Sequence, residues 1–75
     1  MGKLSVINGS DLVKLLTKFG WEVVRQKGSH IIMVKKGEIV SLSVPKHTEV
    51  AKGTLRSLLR NAGISIDDYH EALKK

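Results

Sequence analysis

Apolar residues recur at helical spacing in the first third of the chain. The four that form this stripe are Leu12, Leu15, Leu16 and Phe19. Because residues three and four positions apart share one side of a helix, the stripe predicts a helix with one buried face. Ser10 suits the N-cap position, since its hydroxyl can accept a hydrogen bond from a free backbone N–H, and Asp11 favours the positive helix end. Gly20 interrupts the pattern, so we predict a first helix from Asp11 to Phe19.

Strand-like segments follow Gly20 and are separated by short connections that contain glycine. The three segments are Trp21 to Arg25, His30 to Val34 and Ile39 to Val44. The connections, Lys27-Gly28-Ser29 and Lys36-Gly37, are short enough to join neighbouring antiparallel strands. We therefore predict a three-stranded antiparallel meander.

The third segment indicates that one side of this sheet is covered and the other is open. Apolar residues at positions 40, 42 and 44 alternate with serines at positions 41 and 43. In the second segment, parity puts His30 on the side of residues 32 and 34, which we expect to be the rim of the helix-covered side. Ile31 and Met33 then lie on the open side beside Ile39. Such an apolar patch is typical of a partner surface, although a dimer contact or partial burial would give the same sequence.

Two further helices complete the pattern. Pro45 cannot donate to a strand ladder and ends the third strand, and residues 46–51 have the composition of a loop. An apolar stripe at helical spacing then predicts a second helix from Lys52 to Ala62. Gly63 ends this helix, and Ser65 can cap a short last helix from about Ile66 to Leu73.

The predicted order is helix, three strands and two helices, with one layer of sheet against one layer of helix. This arrangement belongs to the α+β class. The chain has 75 residues, a length that favours a single domain over residues 1–75 with one small core. Any active site must therefore use few residues and hold its substrate at the surface.

Positive charge dominates the middle of the chain. The formal net charge is +6, and ten Lys and Arg face only three acidic residues between Lys14 and Arg60. The other acids lie near the two ends, at Asp11 and at Asp67, Asp68 and Glu71. Such a surface attracts polyanions, above all nucleic acid, although a simply solvated basic surface would have the same composition.

The sequence excludes several other classes of protein. It has no cysteine, which excludes disulfides and thiolate metal sites and fits a reducing cytoplasm. We expect neither a membrane span nor a signal peptide, and we expect a cytoplasmic protein. The acids are scattered without metal-ligand spacing, and the Lys52-Gly53-Thr54 segment is too short for a phosphate-binding P-loop. We therefore expect no metal and no other cofactor.

Three motifs, in the same order, resemble the HicA (YcfA-like) toxin family. They are Arg25-Gln26-Lys27-Gly28-Ser29-His30, Val44-Pro45-Lys46-His47 and the segment from Lys52 to Gly63. The opening Gly9-Ser10-Asp11-Leu12 and the junction Phe19-Gly20-Trp21 extend the resemblance almost from end to end. Many members carry a second histidine or an aromatic residue just beyond the Gly-Ser-His motif, where this chain has Ile31, Ile32 and Met33.

The resemblance implies a fold like that of double-stranded-RNA-binding domains, α-β-β-β-α, here with a short additional C-terminal helix. It also implies a toxin of a type II toxin-antitoxin system that cleaves mRNA and is neutralised by a HicB-type antitoxin. The histidine of the Gly-Ser-His motif is the catalytic residue in that family. In this chain that residue is His30.

The chemistry of RNA cleavage agrees with a histidine at this position. RNA carries its own nucleophile, the 2′-hydroxyl, so a cleaving protein needs a base, a positive clamp for the phosphate and a proton for the leaving oxygen. Histidine changes charge near neutral pH and can act as that base. The alternative for His30 is a partly buried, hydrogen-bonded histidine of structural value only.

Other residues are candidates for the remaining roles. His47 lies in the loop after the third strand, where it could donate a proton or contact phosphate, or have no role. The candidates for RNA binding are Lys27, Ser29, Lys46, Lys52, Arg56 and Arg60. Ammonium and guanidinium groups pair with phosphate oxygens, and the last three recur every four residues on the second helix. Each of these cations alone could equally be a solvated surface charge.

Three functions therefore compete. The first is a metal-independent endoribonuclease with His30 as its catalytic residue. The second is a non-catalytic double-stranded-RNA-binding module, which needs lysines and polar contacts but no titrating group at a strand start. The third is a protein-binding adaptor, which would have no salt-dependent affinity for RNA.

Overall fold

The computed structural model describes residues 4–74, in the predicted order of helix, three strands and two helices. The elements are α1 (Gly9–Lys18), β1 (Glu22–Lys27), β2 (His30–Val34), β3 (Leu42–Pro45), α2 (Lys52–Ala62) and α3 (Ile66–Leu73). The α+β class is thus confirmed. Neither α1, α2 nor α3, the helices within residues 4–74, has the length and apolarity needed to cross a membrane.

The three strands form one antiparallel sheet in the order β1-β2-β3. The helices cover one face of this sheet, with α1 against β1 and β3 and α2 against β3. A buried cluster fills the space between the layers, and its largest fully buried side chains are those of Trp21, Tyr69, Leu12, Leu16 and Met33. The opposite face of the sheet is open to solvent.

The predicted assignment of β2 side chains to the two faces was wrong. Ile31 and Met33 are only 9% and 0% exposed, so they face the helices. Their partners on β3 are Val44 and Leu42, which are also buried. Directly opposed residues in an antiparallel pair point to the same face, and the buried face of β3 therefore determines that of β2. The predicted apolar patch of Ile31, Met33 and Ile39 does not form, because Ile39 alone of the three is exposed.

Several element boundaries also differ from the prediction. β1 runs from Glu22 to Lys27 instead of from Trp21 to Arg25. Trp21 lies in the core just before the strand starts, and the ladder with β2 continues to Lys27. β3 comprises Leu42–Pro45 instead of residues 39–44. Pro45 still pairs with His30, which an edge strand allows because only one side of it carries a ladder. α2 and α3 have the predicted bounds, and Ser65 Oγ accepts the N–H of Asp68 at 3.0 Å.

Gly9 joins the start of α1 to the end of β3. The helix begins at Gly9 with Asn8 as its N-cap, so Ser10 lies inside the helix and the predicted cap at Ser10 was wrong. The N–H of Gly9 donates to the carbonyl of Thr48 at 3.0 Å. A Cβ atom at Gly9 would overlap the carbonyl oxygen of Pro45. Only glycine allows the two backbones to approach this closely.

The segment before α1 ties α3 to the rest of the fold. Leu4 and Ile7 are buried in the core, and the carbonyl of Ile7 accepts the N–H of Val50 at 2.8 Å. The hydroxyl of Tyr69 donates to the carbonyl of Ser5 at 2.6 Å. The N–H of Ser5 donates in turn to His70 Nε2 at 3.3 Å. Two consecutive residues of α3 therefore form hydrogen bonds with the backbone of Ser5.

Substitution of Gly9 by alanine is expected to destabilise the fold by about 2 kcal/mol, because the new methyl group meets the Pro45 backbone and one partner must move. Gly53→Ala is the matched control, since its Cβ meets open space among residues 4–74 and alanine is the better helix former by about 0.5–1 kcal/mol. Urea unfolding followed by circular dichroism measures both. Equal effects of the two substitutions would contradict the close approach at Gly9.

Substitution of Tyr69 by phenylalanine is expected to cost about 1 kcal/mol at neutral pH, the net value of one hydrogen bond. Burial raises the pKa of Tyr69 above its ordinary value of 10.0. The neutral phenol therefore stabilises the fold fully below pH 10, and this stability is lost as pH rises through the raised pKa. The difference in unfolding free energy between wild type and Tyr69→Phe should shrink above pH 10. If the difference in unfolding free energy stayed constant above pH 10, the burial of the Tyr69 phenol would be contradicted.

Candidate functional site

A tight turn connects β1 to β2 and carries the histidine singled out by the sequence. Lys27 pairs with His30, which leaves Gly28 and Ser29 as a two-residue loop. Gly28 has a φ of 60°, and Ser29 has a negative φ. Glycine at the first loop position with positive φ is what a type II′ hairpin turn requires. The Gly-Ser pair thus gives the tight turn after which His30 begins β2.

His30 lies in the last row of the sheet and faces solvent. Its neighbours in that row are Lys27 on β1 and Pro45 on β3. The alternation of β2 puts its side chain opposite to that of buried Ile31, on the open face. The expectation that His30 lies at the rim of the helix-covered side was therefore wrong. The exposed imidazole is free to meet a large substrate that approaches the open face.

The next row of the open face adds a cation that sequence reasoning left out of the candidate site. Arg25 and Ser43 flank the half-buried Ile32 in this row. Arg25 and Lys27 thus lie on the open face of β1. Arg25 is the cross-strand neighbour of Ile32, and Lys27 is that of His30. The prediction ended the first strand at Arg25 and put Lys27 in the connection, so the shared parity of the two residues became visible only because β1 continues to Lys27.

Lys46 closes the corner next to the turn. Its backbone N–H donates to the carbonyl of Ser29 at 2.7 Å, which extends the β2–β3 ladder by one bond. Its ammonium Nζ donates to Gln26 Oε1 at 3.2 Å, and Gln26 Nε2 donates to the carbonyl of Gly28 at 3.1 Å. We call the group of Lys27, Ser29, His30 and Lys46 the hairpin corner. The structure brings these four predicted residues together.

His47 and the predicted residues of α2 are not joined to His30 by the contacts of the fold. His47 is exposed in the bend that follows Lys46. Lys52, Arg56 and Arg60 are exposed on α2, which packs against the opposite face of the sheet from His30. The protein therefore presents two basic surfaces, the hairpin corner and the cationic stripe of α2.

Residues 4–74 offer few other sites for chemistry. Among residues 4–74, no group of three His, Cys, Asp or Glu side chains is arranged to hold a metal ion. Two shallow grooves lie between α1 and α3 and share Lys18 and Ala72 in their linings. No residue of the hairpin corner lines either groove, so the grooves are separate from it.

Comparison with known proteins agrees with the resemblance found in the sequence motifs. The sequence model of the family described as the HicA toxin of bacterial toxin-antitoxin systems matches residues 9–64. The chain belongs to the HicA toxin family. A solved structure described as a toxin-antitoxin complex from Streptococcus pneumoniae contains a chain with 41% sequence identity and a TM-score of 0.68. The similarity covers 76% of the present chain and 97% of the pneumococcal one. No curated protein sequence matches significantly.

The part of this HicA toxin that the family model matches contains both basic surfaces. It begins at Gly9, the glycine that contacts Pro45, and ends just after α2. The N-terminal segment and α3, which Ser5, Tyr69 and His70 hold together, lie outside it. The hairpin corner is thus a feature of the family portion of the chain.

Diethyl pyrocarbonate, which acylates accessible imidazoles, is expected to modify His30 several-fold faster than His70. His30 is exposed, whereas His70 is half-buried and its Nε2 already accepts the N–H of Ser5. Peptide mass spectrometry after short exposures at neutral pH gives the rate at each histidine. Equal rates, or faster modification of His70, would contradict the exposed position of His30.

Proposed function

We propose that this HicA toxin is a metal-independent endoribonuclease that cleaves mRNA, with His30 as its catalytic residue. The observation that carries the proposal is the exposed His30 on the open face of the sheet, directly opposite Lys27, in a chain of the HicA family. A histidine with a purely structural role would be expected to have a buried hydrogen-bond partner. In residues 4–74, the imidazole of His30 has no hydrogen-bond partner.

The proposed reaction uses the 2′-hydroxyl of the RNA as nucleophile. His30 takes the proton of this hydroxyl while its oxygen attacks the adjacent phosphorus. The bond from phosphorus to the 5′-oxygen breaks, and that oxygen receives a proton. The products are a 2′,3′-cyclic phosphate and a 5′-hydroxyl. His47, which follows the hairpin corner in the chain, is the candidate that supplies the second proton.

Cations on two surfaces support RNA binding. Lys27 stands directly opposite His30 on the open face, where it can neutralise the charge that develops on the reacting phosphate. Lys46 adjoins the same turn through its backbone bond to Ser29 and can contact a neighbouring phosphate. The stripe of Lys52, Arg56 and Arg60 on α2 can contact phosphates farther along the strand. The net charge of +6 favours the association of the two polyelectrolytes.

We infer that a HicB-type antitoxin neutralises the toxin. The related pneumococcal chain was solved in a toxin-antitoxin complex. If the chain acts on mRNA, its site of action is the cytoplasm. Expression of the active toxin should then arrest bacterial growth, and co-expression with a HicB-type antitoxin should restore it.

Replacement of His30 by alanine is expected to lower the rate of mRNA cleavage by about a hundredfold or more, the usual contribution of a general acid or base. The measurement is cleavage of a long mRNA by purified wild-type and His30→Ala toxin in excess EDTA, with folding checked by circular dichroism. An mRNA analogue with 2′-deoxyribose at the cleaved positions should resist wild type.

His70→Ala is the matched control for this experiment, because it removes an imidazole at the far end of the chain that lies outside the proposed site. It should keep the activity of wild type under conditions where it remains folded. Cleavage that survives His30→Ala would refute the catalytic assignment. Salt-dependent RNA binding without cleavage by wild type would instead identify a double-stranded-RNA-binding module.

A further inference from the structure

A β-bulge in β1 decides which of its side chains reach the open face of the sheet. Val23 pairs with Met33 and Arg25 pairs with Ile32, so Val24 is an extra residue without a partner on β2. In a regular strand Val23 and Arg25 would point to the same face, because side chains alternate. The extra residue puts Val23 on the side of buried Met33 and Arg25 on the open side with Ile32. The bulge thus directs Arg25 away from the core.

Arg25 and Lys27 form a short row of positive charge along the open face. The ladder between them is regular, so the two residues are about 7 Å apart along β1. This separation is close to that of consecutive phosphates in an extended RNA strand. Because Lys27 lies directly opposite His30, a strand that follows β1 with one phosphate at His30 brings its next phosphate to the Arg25 guanidinium. The path across the sheet leads from His30 to uncharged Pro45 instead.

Glu22 ends this row of positive charge. It pairs with Val34, which alternation places on the open face with Ile32 and His30. The row beyond Arg25 therefore carries a carboxylate, which repels phosphate. Within β1 the open face offers a cation for one phosphate beyond the phosphate at His30.

The row of Arg25 also offers contacts for a base. Half-buried Ile32 lies between Arg25 and Ser43 and presents an apolar surface on the open face. The exposed Ser43 hydroxyl can donate or accept a hydrogen bond. A single strand can turn its bases towards such a surface, whereas a duplex keeps its bases stacked and paired inside the helix. This row therefore favours RNA that is single-stranded.

The cations of the two basic surfaces are poorly placed for a duplex that reacts at His30. The stripe of Lys52, Arg56 and Arg60 lies on α2, which packs against the opposite face of the sheet. A stiff duplex follows one side of a protein, whereas a flexible single strand can bend round the edge of the sheet.

The chemistry of cleavage has the same requirement. Attack by the 2′-oxygen needs this atom in line with the bond from phosphorus to the 5′-oxygen. The A-form helix keeps the 2′-oxygen away from that line. The reacting nucleotide must therefore leave the helical geometry before its own hydroxyl can attack.

We propose that Arg25 binds the phosphate next to the one that reacts at His30, and that the RNA on the open face is single-stranded. This inference rests on the proposed endoribonuclease function and specifies the conformation of its substrate. Arg25 binds the substrate and takes no part in proton transfer.

The salt dependence of RNA binding tests the Arg25 contact without cleavage. The ligand is a single-stranded RNA with 2′-O-methyl groups, which cannot be cleaved by its own 2′-oxygen. Arg25→Met is expected to reduce the slope of log affinity against log salt by about 0.7, the value of one phosphate contact on a single strand. Arg25→Lys should retain the slope, because the ammonium keeps the charge.

Lys14→Met is the matched control, because it removes the same charge from an exposed position on α1, away from the open face. It should leave the slope of wild type unchanged. If Arg25→Met and Lys14→Met change the slope equally, the effect is one of net charge and the inference fails. An unchanged slope in Arg25→Met would also overturn it.

A duplex of the same 2′-O-methyl RNA with its complement tests the conformation of the bound strand. Arg25→Met should not alter the salt slope for this duplex, because an A-form helix does not occupy the open face at Arg25. A loss of slope as large as that for the single strand would overturn the single-stranded assignment.

Cleavage kinetics separate this inference from the proposed function. With an unmodified single-stranded mRNA fragment, Arg25→Met is expected to raise KM about tenfold and to leave kcat nearly unchanged, because the contact is made equally before and during reaction. If wild type fails to cleave, the endoribonuclease function fails and the inference fails with it. If wild type cleaves and Arg25→Met retains the KM and the salt slope of wild type, only the role of Arg25 fails.

Discussion

The close approach of α1 to the end of β3 is the constraint on which the site depends. Gly9 opens the helix against the carbonyl of Pro45, and no side chain fits between them. Pro45 pairs with His30, and the next residue, Lys46, bonds to Ser29. The helix layer thereby fixes the last row of the sheet from the covered face. Because this row is fixed by backbone contacts, the side chain of His30 can be exposed without a hydrogen-bond partner among residues 4–74.

This anchoring explains how a chain of 75 residues can present a reactive group. The core occupies one face of the sheet, and the open face carries Arg25 in one row and Lys27 beside His30 in the last row. A polyanion that follows the open face meets Arg25 and Lys27 before it reaches the turn. In the proposed reaction RNA supplies the nucleophile itself, so the protein would need only a base and fixed positive charge. A small fold with an exposed strand end is sufficient for such chemistry.

Local signals predicted α2 and α3 to the residue, because Gly63 and Ser65 act on the backbone next to them. The start of α1 was mispredicted, since the position of Gly9 depends on a contact with Pro45, 36 residues away in the sequence. The faces of β2 were also mispredicted. All residues from Ile31 to Val34 are apolar, so no alternation marks the buried side, and pairing with β3 decides it. Proximity of Lys46 to the turn likewise required the strand register, whereas the choice of His30 came from the family resemblance of its motif.

In the proposed function, RNA lies on the open face at the hairpin corner. Backbone amide NMR of the wild-type toxin, titrated with an RNA that carries 2′-O-methyl groups, tests this claim directly. We expect the largest shift changes at residues 25–32 and at residues 43, 44 and 46, with smaller changes on the exposed side of α2. Changes confined to the grooves between α1 and α3, with the hairpin corner unaffected, would contradict it.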